Sequence, residues 1–236
     1  MANTVHSEEI YGLDYKAAFV PAERGRDWGY VWGQCRNGYM PGLPTDFDAL
    51  VKVAGVHARE YDRAILYADP DMMLAAMAGF KACVIQANGG DPFASEDGPS
   101  APGPRIRAAL RAKPGEVPHW GQTGEFLVEH NGIKAVVCYS GLESFMGASL
   151  HAATKTGPFV SETGYRSLSG VQPIYGTSLD EAAAEWIDAL LHKQPAVFIN
   201  AKHRKDPTEE FPWLSPADMA APEVFQDKGG QMAFLF

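Results

Sequence analysis

The residues best suited to chemistry lie between His151 and Ser167. This stretch holds an imidazole, a carboxylate, a lysine, an arginine and several hydroxyls. A histidine can act as a general base at neutral pH, and an arginine can bind phosphate or carboxylate through two parallel hydrogen bonds. We therefore predict a site here, with His151 as the base and Arg166 as the anion anchor. The other candidate catalytic residues are Glu162 and Tyr165, and the other candidate substrate-binding residues are Lys155, Ser161, Thr163 and Ser167.

The same residue types also occur in ordinary polar loops. Glu162 could simply pair with Arg166 or Lys155, and serine and threonine hydroxyls often bond to nearby backbone groups. Gly164 would allow a tight turn in either case. A structural loop without a ligand is thus the alternative interpretation.

A second candidate for anion contact is a short basic stretch that contains Arg105, Arg107, Arg111 and Lys113. It stands out because the chain carries a formal charge of −9. The residues around it are compatible with one short helix. This stretch could contact phosphate, or it could be the solvated face of that helix.

Composition and missing motifs narrow the function classes. Twenty Lys and Arg residues against 29 Asp and Glu argue against a broad surface that coats nucleic acid. The sequence lacks the phosphate-binding loop, the dinucleotide fingerprint, the zinc-protease motif and the esterase elbow. Its three cysteines form no closely spaced pair, so neither a disulfide framework nor a cysteine metal site is expected. The sequence therefore assigns no cofactor and no metal.

Several elements are predicted in the first half. Thr45 is a good N-cap for a helix, and the short apolar runs at 64–67 and 82–86 are typical of buried strands. Between them, Asp69-Pro70 predicts the start of a helix that ends at Gly79. These elements would form a βαβ unit with parallel strands. Asp69, Asp71 and Asp91 would then meet at one sheet edge, where a magnesium site is an alternative use of these carboxylates.

The second half opens with a predicted hairpin. Asn131-Gly132 is the preferred pair for a type I′ turn, and the resulting register places Glu129 opposite Lys134. A helix is expected from Ser140 to Gly157, and another from Leu179 to His192 with a capping box of Ser178 and Glu181. The run 196–199 is typical of a final strand.

These elements predict an α/β fold with a mixed central sheet flanked by helices. The expected organisation is an N-terminal lobe over 1–90, a Pro/Gly-rich linker or flap at about 91–118, a C-terminal lobe over 119–200 and an extended tail over 201–236.

The chain ends in an apolar hexapeptide after a Gly-rich segment. Its anchor glutamine and terminal Phe-Leu-Phe resemble the short peptides by which bacterial DNA-metabolism proteins dock on the replicative sliding clamp. The resemblance covers only this hexapeptide and implies a partner-binding role for Gln231, Phe234, Leu235 and Phe236. Alternatively, the two phenylalanines fill the protein's own core.

The leading hypothesis is an accessory protein of bacterial, plasmid or phage DNA metabolism. Its body would bind or modify nucleic acid or a nucleotide, and its tail would dock on the sliding clamp. The alternatives are an enzyme acting on a small anionic metabolite, and a non-catalytic inhibitor or interaction protein. The polar N-terminus and the lack of a long apolar run predict a cytoplasmic protein without a membrane partner.

Overall fold

A computed structural model describes residues 42–91, 98–142, 147–220, 224–226 and 232–234. The chain divides into two compact units, residues 1–110 and 111–236. In the described residues the first unit is helical and the second is built on an antiparallel sheet. This combination of helices and sheet confirms the α/β class.

The first unit contains three described helices, α1 (Phe47–Leu66), α2 (Pro70–Ala87) and α3 (Pro102–Ala109). Asp46, one residue after the predicted cap, accepts a hydrogen bond from the Ala49 amide at 2.9 Å and begins α1. Asp69 caps α2, as the Asp69-Pro70 pair predicts, by accepting from the amides of Asp71 and Met72. The short connection makes α1 and α2 an αα-hairpin, and the two helices pack together.

The βαβ unit predicted for this region is wrong, because both of its strands are parts of helices. Residues 64–67 continue the buried stripe of α1 as far as Ile65, and residues 82–86 form the last turns of α2. A short apolar run does not distinguish a strand from a buried helix segment. Asp69 precedes α2 and Asp91 follows it, so an 18-residue helix, about 27 Å long, lies between them rather than a shared sheet edge.

Gly79 lies inside α2 rather than at its end. A Cβ atom built at this position would lie only 2.3 Å from Cε1 of His57. His57 belongs to α1 and is buried. The glycine thus marks the point where a buried imidazole lies directly against the backbone of α2, and the helix continues past it.

The described strands of the second unit are β1 (Gly124–His130), β2 (Ile133–Tyr139), β3 (Gly147–Ala152), β4 (Pro158–Phe159), β5 (Tyr165–Ser169), β6 (Val197–Phe198), β7 (Val224–Gln226) and β8 (Met232–Phe234). Four of them form a sheet in the order β1-β2-β3-β5, with antiparallel pairing throughout. The hairpin prediction is confirmed, since Asn131 and Gly132 have φ angles of 49° and 74° and Glu129 pairs with Lys134. Two shorter ladders join β4 with β6 and β7 with β8.

The helix predicted from Ser140 to Gly157 is wrong, because this segment contains β3. The strand pairs with β2 on one side and β5 on the other, and it buries Ala148 and Leu150 by alternation. Its local composition would also suit a helix, so pairing with two neighbouring strands decides its structure.

One sheet face packs towards α4 (Leu179–Lys193), which begins with the predicted capping box of Ser178 and Glu181. The buried Trp120 lies edge-on to Tyr139 of the sheet and to Trp186 of the helix. Its indole N–H donates to the carbonyl of Thr177 at 2.9 Å.

Part of the opposite sheet face is covered by residues 207–214. A short helix, α5 (Pro207–Glu210), leads to Phe211 and Leu214, which pack with Val136 of β2 and with Ala153, the residue after β3. This return of the chain is what places polar side chains from residues 203–210 beside β3 and β5.

Candidate functional site

A cavity of about 460 Å³ lies where β3 and β5 meet the returning chain, and we call it the His151 cleft. Its volume falls within the ~300–1,000 Å³ that is usual for small-molecule sites. The polar and aromatic residues that line it are His151, Thr154, Lys155, Thr163, Tyr165, His203, Arg204, Lys205, Asp206, Glu209, Glu210 and Phe211.

His151 is fixed from several sides. Its Nδ1 atom lies 3.1 Å from a carboxylate oxygen of Glu210, and its Nε2 atom lies 3.0 Å from the hydroxyl of Ser149. The rings of Tyr165 and Phe211 lie edge-on to the imidazole, with centroids 5.0 and 5.1 Å away. Both ring nitrogens therefore have a polar partner, and the ring plane is held by aromatic contacts.

The charges of the cleft are partly paired. Lys155 lies 2.6 Å from Asp206, whose carboxylate also accepts from the amide and hydroxyl of Thr208. The Lys155 hydrogen bond and the two from Thr208 lower the pKa of Asp206 to about 2. Asp206 thus stays ionised at any physiological pH and holds Lys155 at the cleft wall.

Arg204 and Lys205 add positive charge at the exposed edge of the cleft. The Nε–H of Arg204 donates to the carbonyl of Ile199 at 3.1 Å, which orients the guanidinium. A guanidinium carries four further N–H donors, so this contact leaves it well suited to binding an anion.

A second cavity, also about 460 Å³, lies along the same sheet face, and we call it the serine groove. Cross-strand pairing aligns Cys138, Ser149 and Ser167 in one row. Burial, and then the nearby carboxylates of Glu125 and Glu210, raise the pKa of the Cys138 thiol to about 11. The thiol is therefore neutral near pH 7. The other polar lining residues are Arg111, Thr123, Tyr139, Ser140, Tyr165 and Ser169.

The structure brings together several of the residues predicted from the sequence. His151, Lys155, Thr163 and Tyr165 all line the His151 cleft. The predicted helix from Ser140 to Gly157 would place His151 and Lys155 on one face, but they lie on a strand and in the loop that follows it. Gly164 makes the predicted turn with a φ of 71°.

Other predicted residues lie elsewhere. Arg166 pairs with Leu150, whereas Tyr165 pairs with His151, so strand alternation directs Arg166 to the other sheet face. Ser161 bonds to the Thr163 hydroxyl and to the Tyr165 carbonyl within the loop. Glu162 is exposed, its carbonyl accepts from the Asn200 amide, and it does not line the cleft. Ser167 lies in the serine groove.

The three arginines of the basic stretch belong to two different units. Arg105 and Arg107 lie on α3 in the first unit, where the Arg105 guanidinium stacks over the ring of Phe47 at 4.1 Å. Arg111 belongs to the second unit, donates to Glu125 at 2.6 Å and lines the serine groove.

Sequence reasoning missed Ser149, Arg204, Lys205, Asp206 and Glu210. Two signals were present. The run Lys202-His203-Arg204-Lys205 ends in Asp206-Pro207, a helix-start pair next to a cluster of cations. Ser149 and His151 are two residues apart, a spacing that places both on one face of a strand once β3 is recognised as a strand.

Among the four predicted partner-binding residues of the tail, only Phe234 falls within the described residues. The backbone of Val224–Gln226 pairs antiparallel with that of Met232–Phe234. Gln231, Leu235 and Phe236 lie outside the described residues.

Two kinds of feature are absent from the described residues. None of their helices is long and apolar enough to cross a bilayer. They also contain no group of three or more His, Cys, Asp and Glu side chains that could hold a metal ion.

The chain resembles curated proteins from Escherichia coli. It is 32% identical over 191 residues to a protein named KlcB, an alignment that covers 78% of this chain and 46% of KlcB. A second E. coli KlcB protein is 40% identical over 134 residues, which are 53% of this chain and 28% of that protein. The chain therefore spans about half or less of the length of these relatives. No family model and no solved structure matches it.

Proposed function

We propose that the chain is an accessory protein of plasmid or other bacterial DNA metabolism that binds nucleic acid or a nucleotide at the His151 cleft. The similarity to KlcB, a plasmid-associated bacterial protein, supports the biological setting. The ligand class is inferred from the chemistry of the cleft.

The observation that carries the proposal is an exposed aromatic ring beside exposed cations at one cavity. The Tyr165 side chain is 48% exposed, and Arg204 and Lys205 lie at the same cleft. A nucleotide has a planar base that stacks on aromatic rings and a phosphate that binds arginine and lysine. These two features favour a nucleotide unit over a purely apolar ligand.

The overall charge of −9 predicts a local contact rather than an extended one. If two or all three of Arg204, Lys205 and the neighbouring Lys202 meet phosphates, a corresponding two or three counterions are released on binding. The logarithm of the binding constant for single-stranded DNA should then fall with the logarithm of salt concentration with a slope of about −1.4 to −2.

Fluorescence anisotropy with a labelled single-stranded oligonucleotide tests the proposal. Tyr165→Leu removes a stacking surface and should weaken binding by roughly fivefold to a hundredfold. Arg204→Gln with Lys205→Gln should weaken binding and flatten the salt dependence. The matched control is Lys193→Gln, since this lysine is exposed at the end of α4 and lines neither cavity. Equal losses in the control and the cleft variants would contradict a specific site.

The second candidate is an enzyme or binding protein for a small anionic metabolite. The size of the cleft favours it, because a cavity of about 460 Å³ accommodates one small molecule rather than a long strand. A competition experiment distinguishes the nucleotide proposal from the metabolite proposal. A free mononucleotide that displaces the oligonucleotide supports the nucleotide proposal, whereas binding of small anions without any oligonucleotide binding supports the metabolite.

The tail from Gln231 to Phe236 would tether this body to the sliding clamp and raise its local concentration there. The support is the sequence of the hexapeptide. The test is binding of the full chain to a purified bacterial sliding clamp beside a chain that ends at Gly230. Loss of binding on truncation supports docking. Absence of binding by the full chain, with lower thermal stability after truncation, would assign the phenylalanines to the protein's own fold.

A further inference from the structure

Three side chains on the polar sheet face form a hydrogen-bonded relay. The Ser149 hydroxyl lies 3.0 Å from Nε2 of His151, and Nδ1 of His151 lies 3.1 Å from Glu210. Ser149 and His151 are two residues apart on β3 and therefore lie on the same face of the sheet, and Glu210 is the last residue of α5. A nucleophile, a base and a carboxylate that orients the base occur in this order in acyl-transfer enzymes on unrelated folds.

We propose that this relay makes Ser149 the nucleophile of a hydrolytic site for carboxylic esters, with the acyl group bound in the serine groove. His151 is the general base and Glu210 positions its ring. This inference goes beyond the proposed nucleic-acid role. It depends on Ser149 and Glu210, whereas anion binding depends on Arg204, Lys205 and Tyr165.

Cys138 is the obvious competitor as a nucleophile, because it is the cross-strand partner of Ser149. Its thiol has a pKa of about 11 and remains protonated near pH 7. Only the thiolate of a cysteine is strongly nucleophilic. The hydroxyl, which has the imidazole beside it, is therefore the group that the site activates.

Donors for the charge that develops on the substrate oxygen are available in the same groove. Ser167 is the cross-strand neighbour of Ser149 on the β5 side. Arg111 lines the groove and is held by its 2.6 Å contact with Glu125. Fixed donors of this kind stabilise a tetrahedral intermediate without reorganising during the reaction.

Ester hydrolysis at this site requires only the ester and water as reactants. The Ser149 oxygen bonds to the acyl carbon and its proton passes to Nε2 of His151. The bond from the acyl carbon to the alkoxy oxygen breaks, and that oxygen takes the proton from Nε2. Water then gives a proton to Nε2 and bonds to the acyl carbon, the bond to Ser149 breaks, and the proton returns to the serine. The products are a carboxylic acid and an alcohol.

A fluorophosphonate probe tests the proposal on the full chain. The serine oxygen displaces fluoride from phosphorus and forms a stable bond, and the serine proton leaves with the fluoride. Intact mass measures the extent of labelling, and peptide mapping identifies the labelled residue. We expect one label on Ser149 in the wild-type chain, and the mapping needs no variant that might misfold.

Variants then test each role. Ser149→Ala should abolish labelling, and His151→Gln should slow it by roughly a hundredfold or more, as loss of a general base does. Glu210→Gln should slow it less, because this carboxylate is 61% exposed, and should alter the pH profile of the labelling rate. Ser100→Ala, an exposed serine of the first unit, is the control and should label normally.

Two results would overturn the proposal. One is an unlabelled wild-type chain under conditions that label a serine-hydrolase standard, and the other is a label that maps to a residue other than Ser149. Neither result affects the anisotropy test of the cleft. Conversely, a chain that is labelled but binds no oligonucleotide would refute nucleic-acid binding and retain the hydrolytic site.

Discussion

The substitution Gly79→Ala tests the packing of α2 against α1. In an exposed helix this change would stabilise the protein by about 0.5–1 kcal/mol, because glycine is a poor helix former. At this position the new methyl group would lie 2.3–2.6 Å from three ring atoms of His57. Ordinary contacts begin near 3.4 Å, so the imidazole or the helix must move by about 1 Å.

The imidazole has little freedom to move. His57 is only 3% exposed, and its Nδ1 atom lies 3.2 Å from the Glu60 carboxylate. Overpacking a core typically costs about 1–3 kcal/mol, which exceeds the gain in helix propensity. We expect Gly79→Ala to lower the free energy of unfolding by roughly 1–2 kcal/mol.

Urea denaturation followed by far-UV circular dichroism measures the change, and hydrogen exchange with mass spectrometry assigns it to α1 and α2. The matched control is the same substitution in a His57→Ala background, where the clash is removed and the helix-propensity gain should reappear. The reasoning is refuted if Gly79→Ala stabilises the wild-type protein, or if its effect is the same in both backgrounds.

Three further predictions concern the second unit. Because the pKa of the Cys138 thiol is raised to about 11, the thiol contributes stability that is present below about pH 9 and is lost as the pH rises through about 11. This contribution is at most about 2–3 kcal/mol, since the group is partly exposed. Denaturation from pH 8 to 11 should therefore show a steeper loss of stability in the wild-type chain than in Cys138→Ala. Lys155→Gln should raise the pKa of Asp206 from about 2 towards 3.8, as carboxyl NMR titration would show, while the Thr208 hydrogen bonds keep it below that value. Gly132→Ala should lower the free energy of unfolding measured in urea by about 1–2 kcal/mol, because the hairpin turn requires a φ of 74° there. The control is Gly170→Ala, which is also at positive φ but outside a hairpin turn and should leave the β1–β2 amides protected from hydrogen exchange.

The features that local chemistry determines could be predicted from the sequence. Asn131-Gly132 specifies its turn because both residues tolerate positive φ, and the turn then fixes the pairing of Glu129 with Lys134. The capping box at Ser178 specifies the start of α4 in the same way. In each case neighbouring residues satisfy one another's hydrogen bonds without help from distant chain.

The features that tertiary contacts determine could not be predicted. Gly79 has the appearance of a helix stop, but its role depends on His57, which is distant in sequence. The segment around β3 has residues that suit a helix, and only its two partner strands make it extended. Apolar runs in buried elements carry no period that would separate the alternatives.

The candidate site also depends partly on local chemistry, which could be predicted, and partly on tertiary contacts, which could not. The polar cluster was found from residue types, but its internal arrangement depends on strand register. Because β5 alternates, Tyr165 faces the imidazole of His151 while its neighbour Arg166 lies on the opposite face. The structure therefore places Arg204, which the returning chain supplies, at the cleft where the sequence predicted Arg166.

The position of His151 argues that this return of the chain is functionally important. The imidazole belongs to the sheet, yet its orienting carboxylate and one of its two aromatic neighbours come from residues 210 and 211. Phe211 anchors that segment in the core with Val136 and Leu214. Anchoring by an apolar residue directly after Glu210 fixes the carboxylate more precisely than an exposed ion pair could, since such pairs contribute little by themselves. Phe211→Ala should thus weaken both the relay at Ser149 and binding at the cleft near Arg204. Glu210→Gln should weaken the relay but leave oligonucleotide binding equal or stronger, because it removes a negative charge from the cleft lining. Probe labelling and oligonucleotide binding on the same two variants would reveal that difference, and equal effects of both variants in both assays would contradict it.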